Sequence, residues 1–188
     1  MPNDNHTNNN DTTIQHTVVL FHGLCSSPLE VSFTAANLKK QGYEVLTPTF
    51  DGYAFGTPSA TAEKWKESAI NFVKELSLKS SNKISVGGIS MGAILAMAVA
   101  QELTDLYGLI LLSPTLIVDG WAVPWYRFLT PLGILLGLGN KINYSEAEPY
   151  GVKNTQMRAY IKRQLENQKI SAAGGVSFTL KHLHEGDR

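Results

Sequence analysis

The sequence predicts an α/β fold: an open, mostly parallel sheet flanked by helices on both faces, in three αβα layers. Three observations predict it. Short apolar, β-branched runs alternate with segments of helical period. One such run, Ile84 to Val86, leads straight into Gly88-Ile89-Ser90-Met91-Gly92 and then into a helix of small apolar residues. The first run, Thr17 to Phe21, leads into a His22-Gly23 loop.

Taken in order, Thr17-Val18-Val19-Leu20-Phe21 reads as a buried parallel strand, since both faces are apolar. After the loop His22 to Ser26, Ser27 is placed as an N-cap, Pro28 as the first helical residue and Glu30 as a capping-box glutamate. Val31, Ala35 and Leu38 then recur at helical spacing until Gly42 ends the helix. Tyr43 to Thr47 is the second strand. A loop with Asp51, Gly52, Gly56 and Pro58 precedes a helix whose apolar face carries Ala62, Trp65, Ala69, Phe72, Val73 and Leu76. The third strand ends at the G-x-S-x-G turn, and a helix from Met91 to about Leu103 follows. Leu106 to Leu112 is the fourth strand, stopped by Ser113-Pro114.

A strand, a turn of this composition and a helix make a nucleophile elbow, which presents the Ser90 hydroxyl outward on a strained backbone. Gly88 and Gly92 lie two positions either side, where a side chain would collide across the turn. The helix start aims free N–H groups and a positive dipole end at the same point. The pattern taken alone also fits an ordinary glycine-rich strand–helix turn.

From Pro114 the texture changes. Trp121, Trp125, Tyr126 and Phe128 cluster beside Pro124 and Pro131, and an apolar run from Leu132 to Gly139 follows. It is too short and too interrupted to span a bilayer. It reads either as a hydrophobic insertion packed on the domain or as a cap offering an apolar wall to an acyl chain. Gln156 to Lys169 is amphipathic and helical in period, and Leu180 to Arg188 is a short helical stretch or a tail. The expected organisation is a disordered polar tail over 1–16, an α/β core over 17–113 and a cap-like helical region over 114–188.

A net charge of +0 with 17% charged residues gives no field for nucleic acid. One cysteine, Cys25, excludes an internal disulfide and leaves zinc spacings without ligands, so no metal is expected. The Asn-rich opening from Met1 to Thr13 is not a signal peptide, and a cytoplasmic location is expected.

Strand, His-Gly loop, helix, strand, helix and strand-GISMG-helix together resemble the α/β-hydrolase superfamily, in its capped branch of serine esterases, monoacylglycerol lipases and serine aminopeptidases. The resemblance is clear from Thr17 to Ser113 and looser at Asp119-Gly120-Trp121 to Tyr126 and at Glu148-Pro149-Tyr150-Gly151. It implies the strand order second, first, third, fourth, with the crevice between the first and third strands. It implies Ser90 as nucleophile and the backbone N–H groups of Leu24 and Met91 as oxyanion hole, Gly23 shaping the loop. The chemistry would need no cofactor, and the partner would be a small-molecule acyl ester.

Other residues read more plainly. His22 is expected to be structural, its ring tied to nearby backbone, and Cys25 a small buried residue. Asp51 to Gly56 resembles a family loop in which Tyr53 stands where a histidine is usual, and is expected to shape the pocket. Asp105 and Asp119 sit in turns and are expected to be solvated or capping.

The resemblance also requires a base and an acid. Of the five histidines, His6 and His16 lie in or beside the polar tail, and only His182 and His184 follow the serine. Neither has a strand before it or a partnering loop aspartate. The expectation is therefore a truncated member, or a short chain that has lost or rebuilt these groups. Its fourth strand would leave an apolar edge, with poor solubility or partial molten character. Two functions are carried forward: a serine hydrolase of carboxylic esters, with thioester or amide cleavage as near relatives, and a catalytically incomplete module binding a lipid surface or a protein.

Overall fold

The computed structural model describes residues 15–116, 125–145, 153–168, 170–171, 174–175 and 177–187. In chain order, β1 (His16–Phe21), α1 (Ser32–Lys40), β2 (Glu44–Leu46), α2 (Ala62–Lys79), β3 (Lys83–Ile89), α3 (Met91–Glu102) and β4 (Gly108–Leu112) form the core. The sheet runs β2-β1-β3-β4 with every pair parallel. β1 and β3 are the inner strands, so the strand order reverses between them.

The layering follows from the alternation of side chains along β1. Val19 and Phe21 face one side and pack with Val86, Trp65, Ala69, Val73, Leu95 and Val99, beneath α2 and α3. Val18 and Leu20 face the other and pack with Val31, Ala35 and Val45, beneath α1. Both faces are covered, which is why β1 is apolar throughout rather than alternating. Each fully buried Val, Leu or Phe contributes about 2 kcal/mol of transfer free energy. β4 differs, with Leu109 43% and Leu111 39% exposed at the outer edge.

One cap is placed differently from the sequence expectation. Ser27 does cap, accepting from the Leu29 N–H, but it opens a 3₁₀ turn over Pro28–Val31, and α1 begins only at Ser32. The Glu30 carboxylate does not turn back on Ser27; it accepts the Gly23 N–H at 2.7 Å. A loop amide with no strand partner is the stronger demand, because a buried N–H left unpaired is costly.

Beyond the core, α4 (Thr130–Leu135), β5 (Asn143–Ser145), α5 (Thr155–Gln168), β6 (Ile170–Ser171), β7 (Gly174–Gly175), β8 (Ser177–Thr179) and α6 (Leu180–Gly186) follow. The region expected to be cap-like and helical also holds short strands: β5 pairs with β8 and β6 with β7, both antiparallel. The polar tail up to residue 14, Asp119, Trp121 and the segment Glu148 to Gly151 lie outside the described residues. Several contacts among the described residues tie this region to the core. Asn140 Oδ1 accepts the Ser59 N–H at 3.1 Å, and Glu185 Oε2 accepts the Ala62 N–H at the start of α2, also at 3.1 Å. The His182 ring stacks on Trp65 with 6.2 Å between centroids. Among the described residues no helix is long and apolar enough to cross a membrane.

Candidate active site

Among the described residues, three non-glycine residues have positive φ, and each follows the carboxyl end of a core strand: Cys25 (53°) after β1, Ser90 (54°) after β3 and Ser113 (45°) after β4. Such strain persists only where the surroundings over-determine it, and it gathers at functional sites. Here it marks one end of the sheet, at the crevice of the reversed strand order.

Ser90 occupies the N-cap of α3 with φ 54° and ψ −124°. The turn closes because two glycines permit it. A Cβ on Gly88 would overlap the Gly92 carbonyl group, and one on Gly92 would overlap the carbonyl oxygens of Phe21 and His22. The second contact also shows that the start of α3 lies directly against the loop leaving β1. The Ser90 N–H donates to Leu112 O at 3.0 Å, and its Oγ lies 3.0 Å from Thr115 Oγ1.

The loop after β1 is held from several sides. The Cys25 N–H donates to Tyr53 O at 2.9 Å, and Tyr53 Oη–H donates to His22 O at 2.7 Å. Tyr53 is thus a fully buried strut between the two loops. His22 Nδ1 lies 2.8 Å from Gly23 O, so its ring is tied to backbone, and burial lowers its pKa. Burial raises the Glu30 pKa, against the opposing hydrogen bond from Gly23. Cys25 is buried, and that burial pushes its thiol up to about 12, far from a reactive thiolate. No acceptor in the described turns, loops or side chains takes the N–H of Leu24 or of Met91.

The remaining candidates lie elsewhere. His16 Nε2 is 2.9 Å from Ser85 Oγ, at the opposite end of the sheet. His182 Nδ1 accepts the Thr179 N–H at 3.3 Å and lies 2.8 Å from Thr179 Oγ1, which makes it part of the cap of α6. Among the described residues, no histidine hydrogen-bonds Ser90, and His184 shows no such contact. Asp105 is exposed near a groove of about 470 Å³ between the C-terminal ends of α2 and α3, at the far end of β3 from Ser90. No group of three or more His, Cys, Asp or Glu fit to hold a metal ion occurs among the described residues. Sequence reasoning missed Glu30 as the support of the Gly23 loop and Thr115 as the neighbour of Ser90. Neither sits in a motif that carries its partner with it.

A family model described as serine aminopeptidase, S33, matches residues 12–181. No curated protein matches the chain. Among solved structures, the monoacylglycerol lipase of Paleococcus ferrophilus is similar with a TM-score of 0.62 at 16% identity, over 90% of this chain and 65% of that one. The α/β-hydrolase GrgF from Penicillium sp. sh18 gives 0.60 at 13% identity, over 93% and 65%. An extracellular α/β-hydrolase from a Paenibacillus species, described as sharing structural and functional homology with tobacco salicylic acid binding protein 2, gives 0.56 at 18%, over 89% and 72%. The chain therefore spans about two thirds of the length of these structures, and at such identities the likeness is one of fold.

Proposed function

The chain belongs to the serine aminopeptidase S33 family of the α/β-hydrolase superfamily, and from that premise we propose that it is a serine hydrolase of carboxylic esters acting through an acyl-enzyme on Ser90. The observation that carries the reading is the backbone of Ser90, at φ 54° on a strand-to-helix turn walled by Gly88 and Gly92. Strain of this kind costs about 1–3 kcal/mol and is retained where it serves a reacting group.

In this reading Ser90 Oγ attacks the acyl carbon and passes its proton to a base. The carbonyl oxygen takes up negative charge and accepts from the N–H groups of Leu24 and Met91. The positive end of α3 reinforces them. Collapse of the tetrahedral intermediate breaks the bond to the alkoxy oxygen, which takes that proton from the base and leaves as the alcohol. Water, giving a proton to the same base, then attacks the acyl carbon, and the acid leaves as Ser90 Oγ takes the proton back. A single fixed donor of this type is worth about 3 kcal/mol in the transition state. The base is assigned to none of the described histidines.

An ester is favoured over an amide or thioester by the lipase among the similar structures and by the apolar surface beyond the core. Leu132 and Leu135 of α4 and Leu136 just after it are exposed and offer an apolar wall to an acyl chain. We read the region from residue 114 onward as the cap on this site. Hydrolysis of p-nitrophenyl esters of graded acyl length tests the proposal. Saturable turnover that Ser90→Ala abolishes is expected; turnover that survives the substitution contradicts it.

One observation favours the second reading, a binding module without catalysis. His16, His22 and His182 are each engaged with other partners, and none touches Ser90. In that case Ser90→Ala leaves binding to lipid or protein unchanged and no ester is turned over by either protein.

A further inference from the structure

The Ser90 hydroxyl has one hydrogen-bond partner among the described residues, and it comes from the side of the sheet away from the Leu24 loop. Because β3 lies between β1 and β4, Ser90 is flanked by the β1 loop on one side and by the chain leaving β4 on the other. That second chain is locked to it. The Ser90 N–H donates to Leu112 O at 3.0 Å, extending the strand pairing one residue beyond β3. The backbone then turns through Ser113, at φ 45°, and Pro114. Thr115 returns its own N–H to Ser90 O at 3.4 Å and sets Oγ1 3.0 Å from Ser90 Oγ.

We propose that Thr115 is a positioning residue for the Ser90 hydroxyl, donating its Oγ1–H to Ser90 Oγ and selecting one rotamer of the serine. The proposal rests on the reading of Ser90 as nucleophile. A serine side chain has three staggered wells, and attack on a bound carbonyl needs Oγ held in the well aimed at it. Thr115 Oγ1 is the one side-chain hydrogen-bond partner of Ser90 Oγ among the described residues. Thr115 is suited to choose, because its backbone is bonded to the Ser90 backbone and its β-branched side chain is itself stiff at χ1. A donor at this position leaves the Ser90 proton free for a base, whereas an acceptor there would hold that proton and block its transfer. The strained turn at Ser113 then has a use: it brings the chain back after β4 so that residue 115 faces residue 90.

The test compares the wild-type chain with Thr115→Val, which keeps the shape and removes the hydroxyl, and with Thr115→Ser, which keeps the hydroxyl. Thr115→Ala replaces the valine variant if that one does not fold. Two quantities are read. The first is the Ser90 χ1 population, from three-bond Hα–Hβ couplings in serine-labelled protein, the resonance being assigned by its loss in Ser90→Ala. The second is the second-order rate of inactivation by a fluorophosphonate. Couplings of one rotamer are expected in the wild type and Thr115→Ser, and averaged couplings in Thr115→Val. Inactivation is expected to slow about tenfold in Thr115→Val and to stay within about twofold in Thr115→Ser. A merely structural hydroxyl would shift the melting temperature and leave both readouts alone. Single-rotamer couplings in Thr115→Val overturn the proposal. A wild-type protein that does not react with the fluorophosphonate overturns the nucleophile reading instead, and the couplings still decide whether Thr115 holds the hydroxyl.

Discussion

At the scale of single residues, the turn around Ser90 makes opposite predictions for neighbouring positions. Ser90 sits at a positive φ that glycine adopts freely. Ser90→Gly should therefore raise stability by about 1 kcal/mol in urea denaturation while removing any hydrolysis. Gly88→Ala should do the reverse and cost about 2 kcal/mol or more, because its Cβ would overlap the Gly92 carbonyl group. The demand at Gly88 was legible in the sequence because it is set by Gly92 only four residues on. The demand at Gly92 was not, since its Cβ would meet the Phe21 and His22 carbonyls of the loop leaving β1. Glu30 was only half legible. Its place after Ser27 and Pro28 resembled a capping box, but the buried Gly23 N–H claimed its carboxylate. Thr115 carried no signal, since its contact with Ser90 exists only once β3 and β4 are side by side.

At the scale of elements, α6 is the clearest case of a helix whose end depends on pH. Thr179 caps it, and His182 reciprocates by accepting the Thr179 N–H on Nδ1, a task only the neutral ring performs. Burial pushes the His182 pKa down to about 4 from 6.5, with the nearby Gly52 carbonyl partly offsetting and Lys181 adding to the fall. The unfolded chain thus binds more protons than the folded one between those two values. Stability is complete above about pH 6.5 and falls as the pH drops toward 4, by on the order of 2 kcal/mol. His182→Asn should flatten this slope in melting curves taken across the window, and a slope unchanged by the substitution would contradict it. The periodicity of α1, α2 and α3 was legible because each buries one face or, in α3, nearly all of it. The short pairing of β5 with β8 was not legible: three residues of strand give no period, and the partners lie far apart in the chain.

At the scale of the whole molecule, the core and the region beyond it are joined through the start of α2. Ser59, Ala62 and Trp65 meet Asn140, Glu185 and His182 there. Glu185→Ala should cost about 1–2 kcal/mol by leaving the Ala62 N–H without its acceptor, and should speed hydrogen exchange at that amide. Unchanged exchange at Ala62 would show that this anchor does not hold in solution. The parallel sheet and its crevice were foreseeable from alternating strands and helices and from the two motifs at the ends of β1 and β3. The anchors were not, since they join residues 81 and 123 positions apart. The central claim is that the sheet's strained end is a reactive centre, with Ser90 as its nucleophile. Peptide mapping of the chain after treatment with a fluorophosphonate probe tests it most directly. A single adduct on Ser90, absent from Ser90→Ala, is the predicted result; no adduct, or one on another residue, would contradict it.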